Sequence, residues 1–217
     1  RLMPEVNYGE RDNSVVHLSD VTDGTCLAQA FYRLQAAKEG VEPPEISDIA
    51  ALYFLRGRVV ERSISEEIAP KLCEGIAFTL DGYNAAYNLY VEIKSTAMGQ
   101  TNFEPFQGQE AWWSRIMGYC YGLGVKSMAL VVIFICGDAS SFKKPKDGIR
   151  KKVGLRAWKL DFDESEIKEN WEKIQRNKAE LLDSIETGVI DPLMVNPQKW
   201  ECPGCVWLPT CQYTSAK

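Results

Sequence analysis

The chain has 217 residues, 45% hydrophobic and 25% charged, with a formal net charge of -5. Those values are ordinary for a globular chain with a real core, and they exclude disordered, collagen-like and histone-like coat classes. No run approaches the roughly 18 apolar residues of a membrane span. The first residues carry no apolar stretch after a basic start, so no export signal is read; a reducing, cytoplasmic setting with no membrane is expected.

Residues 1–16 are polar and irregular. Ser19 or Asp20 could cap a short helix that Gly24 interrupts, and Thr25 then caps a helix from Cys26 to Lys38. GVEPPEIS at 40–47 reads as a linker. From Ser47 to about Ile68, the residues Ile49, Leu52, Tyr53, Val59, Val60 and Ile64 form one apolar helical face, ended by Pro70. Residues 74–82 and 88–96 read as two strands around the turn-rich GYNAAYN, hence a β-hairpin. Gln107 to Leu123 reads as a helix stopped by Gly122 and Gly124. Ser127 to Cys136 is continuously apolar, as in a central buried strand. A Gly/Lys/Pro loop fills 137–151, and Val153 to Phe162 is a further strand. Asp163 to Glu186 is an amphipathic helix with Ile167, Trp171, Ile174, Leu181 and Ile185 inward. The tail from 188 is irregular. Strands and helices mixed in this way argue an α/β domain.

Seven cysteines and one histidine are the unusual counts. Cys73, Cys120 and Cys136 lie among apolar residues and read as buried small hydrophobes. Cys202, Cys205 and Cys211 are compressed into ECPGCVWLPTC, a Cys-x2-Cys-x5-Cys spacing typical of metal ligands. Pro203 and Gly204 form a turn that can aim two thiolates at one metal. Cys26 is the remaining cysteine in a polar, element-initiating context and is the candidate fourth ligand. His17, the lone imidazole, is a candidate substitute, although a lone histidine is more often structural.

The most informative stretch is Leu80-Asp81-Gly82 followed by Tyr90-Val91-Glu92-Ile93-Lys94-Ser95. On a strand, residues two apart share a face, so Glu92 and Lys94 point one way while Val91 and Ile93 point into the core. A hairpin turning near 85–86 sets Asp81 opposite about position 91, beside Glu92. Two carboxylates and an ammonium then meet at one point. Mg²⁺ uses one or two carboxylates with waters and substrate phosphate, and such an ion activates water and neutralises a phosphodiester under attack. Lysine can orient that water or stabilise the charged transition state.

Asp81 followed by Glu92-x-Lys94 resembles the PD-(D/E)XK nuclease signature. Gly57-Arg58-Val59-Val60-Glu61 resembles the preceding helical motif of its RecB-like branch, with Glu61 where relatives have histidine or glutamate. One cysteine in HLSDVTDGTCLAQAFYRL and three near the C-terminus complete the pattern of the iron–sulfur RecB-like exonucleases, the CRISPR-associated type or its viral and archaeal relatives. The resemblance runs from about His17 to Cys211. It implies a restriction-endonuclease-like α/β core, a mixed sheet flanked by helices, with an iron–sulfur subdomain formed by both chain ends. The segments are then 1–45 and 188–217 for the cluster and 46–187 for the nuclease core. It implies Cys26, Cys202, Cys205 and Cys211 around a four-iron four-sulfur cluster, with zinc as the alternative, since zinc also accepts four cysteines. It implies Mg²⁺ or Mn²⁺ held by Glu61, Asp81, Glu92 and the Ile93 carbonyl, with Lys94 positioning the attacking water. Tyr119 matches the tyrosine of the family's Gln-x3-Tyr helix motif, whereas Arg115 replaces its glutamine. The expected activity is DNA hydrolysis, by a single-strand-preferring 5′ to 3′ exonuclease with endonuclease action as an addition. CRISPR spacer acquisition or recombination proteins are the expected partners. The alternative is a non-catalytic DNA-binding adaptor with a structural metal clasp, and a third reading is a zinc-clasped protein acting on RNA. Relatives include rings and monomers, so the oligomeric state is left open.

For nucleic-acid contact, KKPKDGIRKK at 143–152 holds six basic residues and one acid. Lys143, Lys144, Lys146, Arg150, Lys151 and Lys152 could meet phosphates without sequence preference, or form an ordinary solvated loop. Trp112 could stack on a base, although at least one of Trp112 and Trp113 is expected in the core. Arg115 and Tyr119, four apart, share a helical face that could approach the scissile phosphate or consist of a core tyrosine beside a surface arginine.

Overall fold

The computed structural model describes residues 12–45, 68–96, 103, 110–135, 154–195, 197, 201–202 and 205–213. The helix expected at 47–68, with Glu61, and the basic loop at 143–152 lie outside the described residues. Within them, α1 (Leu18–Val21) and α2 (Leu27–Glu39) precede β1 (Lys71–Cys73), β2 (Ile76–Phe78), β3 (Gly82–Asn84) and β4 (Leu89–Thr96). Then come α3 (Glu110–Leu123), β5 (Ser127–Phe134), β6 (Gly154–Asp161), α4 (Glu164–Thr187) and a 3-10 turn at Pro192–Met194. No helix among the described residues is long and apolar enough to cross a membrane.

The central sheet has the order β3-β4-β5-β6, with β4 parallel to β5 and both outer pairs antiparallel. Parallel neighbours need a crossover, and α3 lies in the crossover between β4 and β5. This is the mixed sheet with helices that the sequence argues for. β5 is its centre: Met128, Leu130, Val132 and Phe134 alternate along one face and are fully buried. Ile116 and Cys120 of α3 and Ile174 and Leu181 of α4 belong to the same core cluster. The inward set read for α4 is buried as expected, with Ile185 only partly so. Asp163 caps this helix, and Glu166 returns its side chain to the Asp163 N–H at 2.9 Å, closing a capping box.

Several features differ from the sequence reading. His17, not Ser19 or Asp20, is the N-cap of α1, and its N–H donates to Asp20 Oδ2 at 2.7 Å. Cys26, not Thr25, is the N-cap of α2, because the Thr25 hydroxyl donates instead to the Thr22 carbonyl at 2.7 Å. The single strand expected at 74–82 is divided. β1 and β2 form a separate hairpin whose turn residues Glu74 and Gly75 have φ of 46° and 73°, the two positive values of a type I′ turn. After β2 the chain enters the main sheet at β3. The β3–β4 register pairs Gly82 with Val91, so Asp81 faces position 92, one residue beyond the expected 91. Gly122 lies inside α3 rather than ending it. Its bare Cα admits the Phe78 ring, whose nearest atom would stand 2.7 Å from an added Cβ.

The Cys-rich segment packs against α2. Tyr32 stacks on Trp207 at 5.8 Å, and the Tyr32 hydroxyl lies 3.4 Å from both the Thr210 carbonyl and the Gln212 N–H. Residues distant in sequence thus meet around the first turn of α2.

Candidate active site and cysteine cavity

The Asp81 carboxylate accepts the backbone N–H of Ile93 at 2.7 Å through Oδ2. This bond extends the β3–β4 ladder by one step and fixes Asp81 against the peptide linking Glu92 to Ile93. Glu92 is 2% exposed, as buried as Ile93. Only one face of β4 was expected to be apolar, but both are covered. Glu92 pairs with Leu130 and Lys94 with Val132 in register, so these two side chains share the face of the core residues of β5. The core therefore lies on the Glu92 and Lys94 face as well as on that of Ile93, because α3 packs over that side and brings Arg115 to Glu92.

A carboxylate buried to this degree needs compensating charge. Lys94 supplies it through an ion pair between Nζ and Glu92 Oε1. Arg115 of α3 adds a second cation, its Nη1 4.0 Å from the same oxygen, while its buried Nε has no hydrogen-bond partner among the described residues. Arg115 is about a quarter exposed, so the guanidinium bridges the buried carboxylate and the surface. Sequence reasoning assigned Arg115 to nucleic acid only. Its approach to Glu92 depends on how α3 packs over β4, which local sequence does not show.

Tyr119 is buried at 6% exposure and its ring lies 5.6 Å from that of Phe78. Trp112 and Trp113 are both partly buried, against Phe103 and Phe162 respectively. Of the expected ligands, then, Asp81 and Glu92 are brought together with Lys94 and Arg115. Two adjoining carboxylates suit a hard divalent cation, which takes oxygen donors.

Cys26, Cys202, Cys205 and Cys211 line one cavity, with Tyr32, Trp207 and Tyr213 in its walls. The described cysteines are all free thiols. Burial pushes the Cys26 thiol up to about 11, partly offset by the Ala28 and Gln29 N–H groups, with the nearby Glu201 and Cys211 raising it further. Burial raises Cys205 as well. Among the described residues, no three His, Cys, Asp or Glu side chains converge closely enough to hold a single metal ion. His17 is elsewhere engaged, its Nε2 2.8 Å from the Asp12 carbonyl. Thiols around one cavity are a donor set that fits a thiolate-ligated metal group.

No protein-family model matches this sequence, and neither does any curated protein. Solved structures do. The protein SSO0001 aligns over 94% of this chain and 89% of its own at a TM-score of 0.49 and 13% identity. A phage-related exonuclease from Haemophilus somnus 129PT aligns over 80% and 96% at a TM-score of 0.41 and 10% identity. An alkaline exonuclease from Laribacter hongkongensis, LHK-Exo, aligns over 80% of this chain and 91% of its own, at a TM-score of 0.52 and 17% identity. The chain has the mixed α/β fold of that exonuclease, a four-stranded mixed sheet with flanking helices.

Proposed function

We propose that this chain is a divalent-metal-dependent DNA nuclease of the PD-(D/E)XK type. One observation carries the reading: Asp81, Glu92 and Lys94 meet at the Ile93 peptide on the two strands where the motif demands them, with a second cation alongside. The fold shared with an alkaline exonuclease supports it.

Asp81 and Glu92 would hold Mg²⁺ or Mn²⁺, with Glu61 and the Ile93 carbonyl as further donors. Such an ion supplies an activated water and neutralises charge on the phosphodiester. Lys94 orients the attacking water through Nζ and stabilises the developing negative charge. Arg115, with donors facing both Glu92 and solvent, binds a non-bridging phosphate oxygen; its planar fork suits that contact better than lysine would. Burial keeps bulk water from screening these charges.

Cys26, Cys202, Cys205 and Cys211 would hold the four-iron four-sulfur cluster. The family resemblance favours it over zinc, which also accepts four cysteines. The group serves as a clasp between the start of α2 and the C-terminal segment. DNA with single-stranded ends is the substrate, cut 5′ to 3′ in a reducing cytoplasm, in spacer acquisition or recombination. Lys143, Lys144, Lys146, Arg150, Lys151 and Lys152 add phosphate contacts, and Trp112 flanks the reacting strand, whereas Tyr119, buried against Phe78, supports the α3 helix from within the core.

The test is incubation of the purified, coloured protein with end-labelled single-stranded DNA in Mg²⁺, in Mn²⁺ and in a chelator. Metal-dependent release of short products is expected. Intact DNA in all three, from a folded protein carrying its metal group, overturns the proposal.

A further inference from the structure

The β3–β4 hairpin carries three tyrosines, Tyr83, Tyr87 and Tyr90. Tyr83 and Tyr90 are directly opposed in register, with ring centroids 5.1 Å apart and planes tilted by 55°. The Tyr83 hydroxyl donates to the Asn88 side chain, which holds the ring over the hairpin. Opposed residues share a sheet face, and so do residues two apart on a strand. Tyr83 and Tyr90 therefore lie on the face of Glu92 and Lys94, one two-residue step of about 7 Å along the strand from Glu92.

Burial divides the pair. Tyr90 packs against the core cluster, whereas Tyr83 is 48% exposed on the edge strand and Tyr87, in the turn, is 76% exposed. A cross-strand aromatic pair stabilises a hairpin, and that role is met by Tyr90 and one edge of Tyr83. It does not require a second, half-exposed ring surface beside a buried, charge-compensated carboxylate. On that face the step beyond the tyrosine pair holds Asp81 and Glu92, with Lys94 one step further and Arg115 reaching Glu92 from α3, so the aromatic surface is followed by the carboxylates and then by cations suited to a phosphate. Aromatic surface followed by cations matches a nucleotide, whose base stacks and whose phosphate is charged.

We infer that Tyr83, backed by Tyr90, is a stacking platform for a base of single-stranded DNA, one step along the strand from the Asp81–Glu92 site where the phosphate is held. The inference rests on the nuclease reading and deepens it, because a platform on this face requires an unpaired base. A duplex offers its bases only at an end. The platform thus makes the site selective for a single strand.

The experiment measures binding of a fluorescent oligothymidine by fluorescence anisotropy, in Ca²⁺, for the whole protein and for Tyr83→Ala and Tyr83→Trp. A second probe is the same strand with its bases removed at successive positions. Tyr83→Ala is expected to weaken binding on the order of tenfold, and Tyr83→Trp to keep it. On the strand abasic at the stacked position, wild type and Tyr83→Ala are expected to bind equally. Equal binding of the intact strand by wild type and Tyr83→Ala overturns the inference, as does an equal loss on intact and abasic strands. If wild type still cuts DNA with metal while Tyr83→Ala is unaffected, this inference alone falls. If wild type neither binds nor cuts, the nuclease reading falls with it. Tyr83 is half exposed, so its variants should fold; Tyr87→Ala, in the turn, serves as the control for loss of an aromatic away from the strand face.

Discussion

Asp81 Oδ2 accepts the Ile93 N–H at 2.7 Å, so a carboxylate takes the place of a main-chain acceptor at the end of the β3–β4 ladder. The bond orients Asp81 toward Glu92 and leaves its charge beside a second carboxylate. Asparagine in its place keeps an oxygen for the Ile93 N–H but carries no charge. Asp81→Asn is therefore expected to stay within about 1 kcal/mol of wild-type stability. Its metal-dependent cleavage should fall at least as far as the roughly 10- to 100-fold lost on removing a partner one step removed from a metal. Denaturant melts and product release measured side by side check both halves.

The Lys94–Glu92 pair leads to a coupling between metal and stability. Lys94→Ala leaves a buried carboxylate with Arg115 alone, 4.0 Å away. Breaking a buried pair costs about 3–5 kcal/mol; with Arg115 retained and Lys94 17% exposed, about 1–3 kcal/mol is expected. A divalent cation held by Asp81 and Glu92 should take over that compensation. Mg²⁺ is therefore expected to raise the Tm of Lys94→Ala more than that of wild type, while cleavage stays lost. Equal shifts in thermal melts contradict the coupling.

Gly122 and the buried Phe78 ring join α3 to the β1–β2 hairpin. An added Cβ would stand 2.7 and 2.8 Å from two ring carbons, and a ring fixed in a core cannot fold away. Alanine gains up to about 1 kcal/mol of helix propensity over glycine, but overpacking costs about 1–3 kcal/mol. Gly122→Ala is expected to be net destabilising, read as a lowered denaturant midpoint with an unchanged slope.

Cys120 is fully buried in α3, and burial pushes its thiol up to about 12 from 9.0. The raised value favours the protonated form in the folded protein. Its contribution is fully present below about pH 9 and is lost as pH rises from there toward 12, because the unfolded thiol ionises first. Cys120 should resist alkylation at pH 8 until the protein is denatured, as peptide mapping would show. Cys120→Ala should flatten the alkaline decline of stability.

What was legible in the sequence follows periodicity. The continuous apolar run of β5 marks it as a buried strand and the 3.6-residue face of α4 identifies its core residues, because burial imposes those patterns directly. Asp81, Glu92 and Lys94 were found because a hairpin is local and its register is set by a short turn. The register was missed by one residue, since the chain leaves β2 and changes sheet before β3. The burial of Glu92 and the approach of Arg115 were not legible at all. Both depend on where the crossover helix lies, and tertiary packing is not encoded in a neighbouring residue. The gathering of Cys26 with Cys202, Cys205 and Cys211 was read from ligand-like spacing and a family resemblance. The cavity they line adds Tyr32, Trp207 and Tyr213, aromatics that no spacing rule selects.

The central claim is that Glu92 carries the chemistry through its charge. The most direct measurement compares the initial rate of single-stranded DNA hydrolysis in Mn²⁺ by wild type and by Glu92→Gln, which has nearly the same shape and no charge, with circular dichroism of both. A fall on the order of a hundredfold or more with an unchanged spectrum is the result this account expects. Equal rates from the two proteins would contradict it.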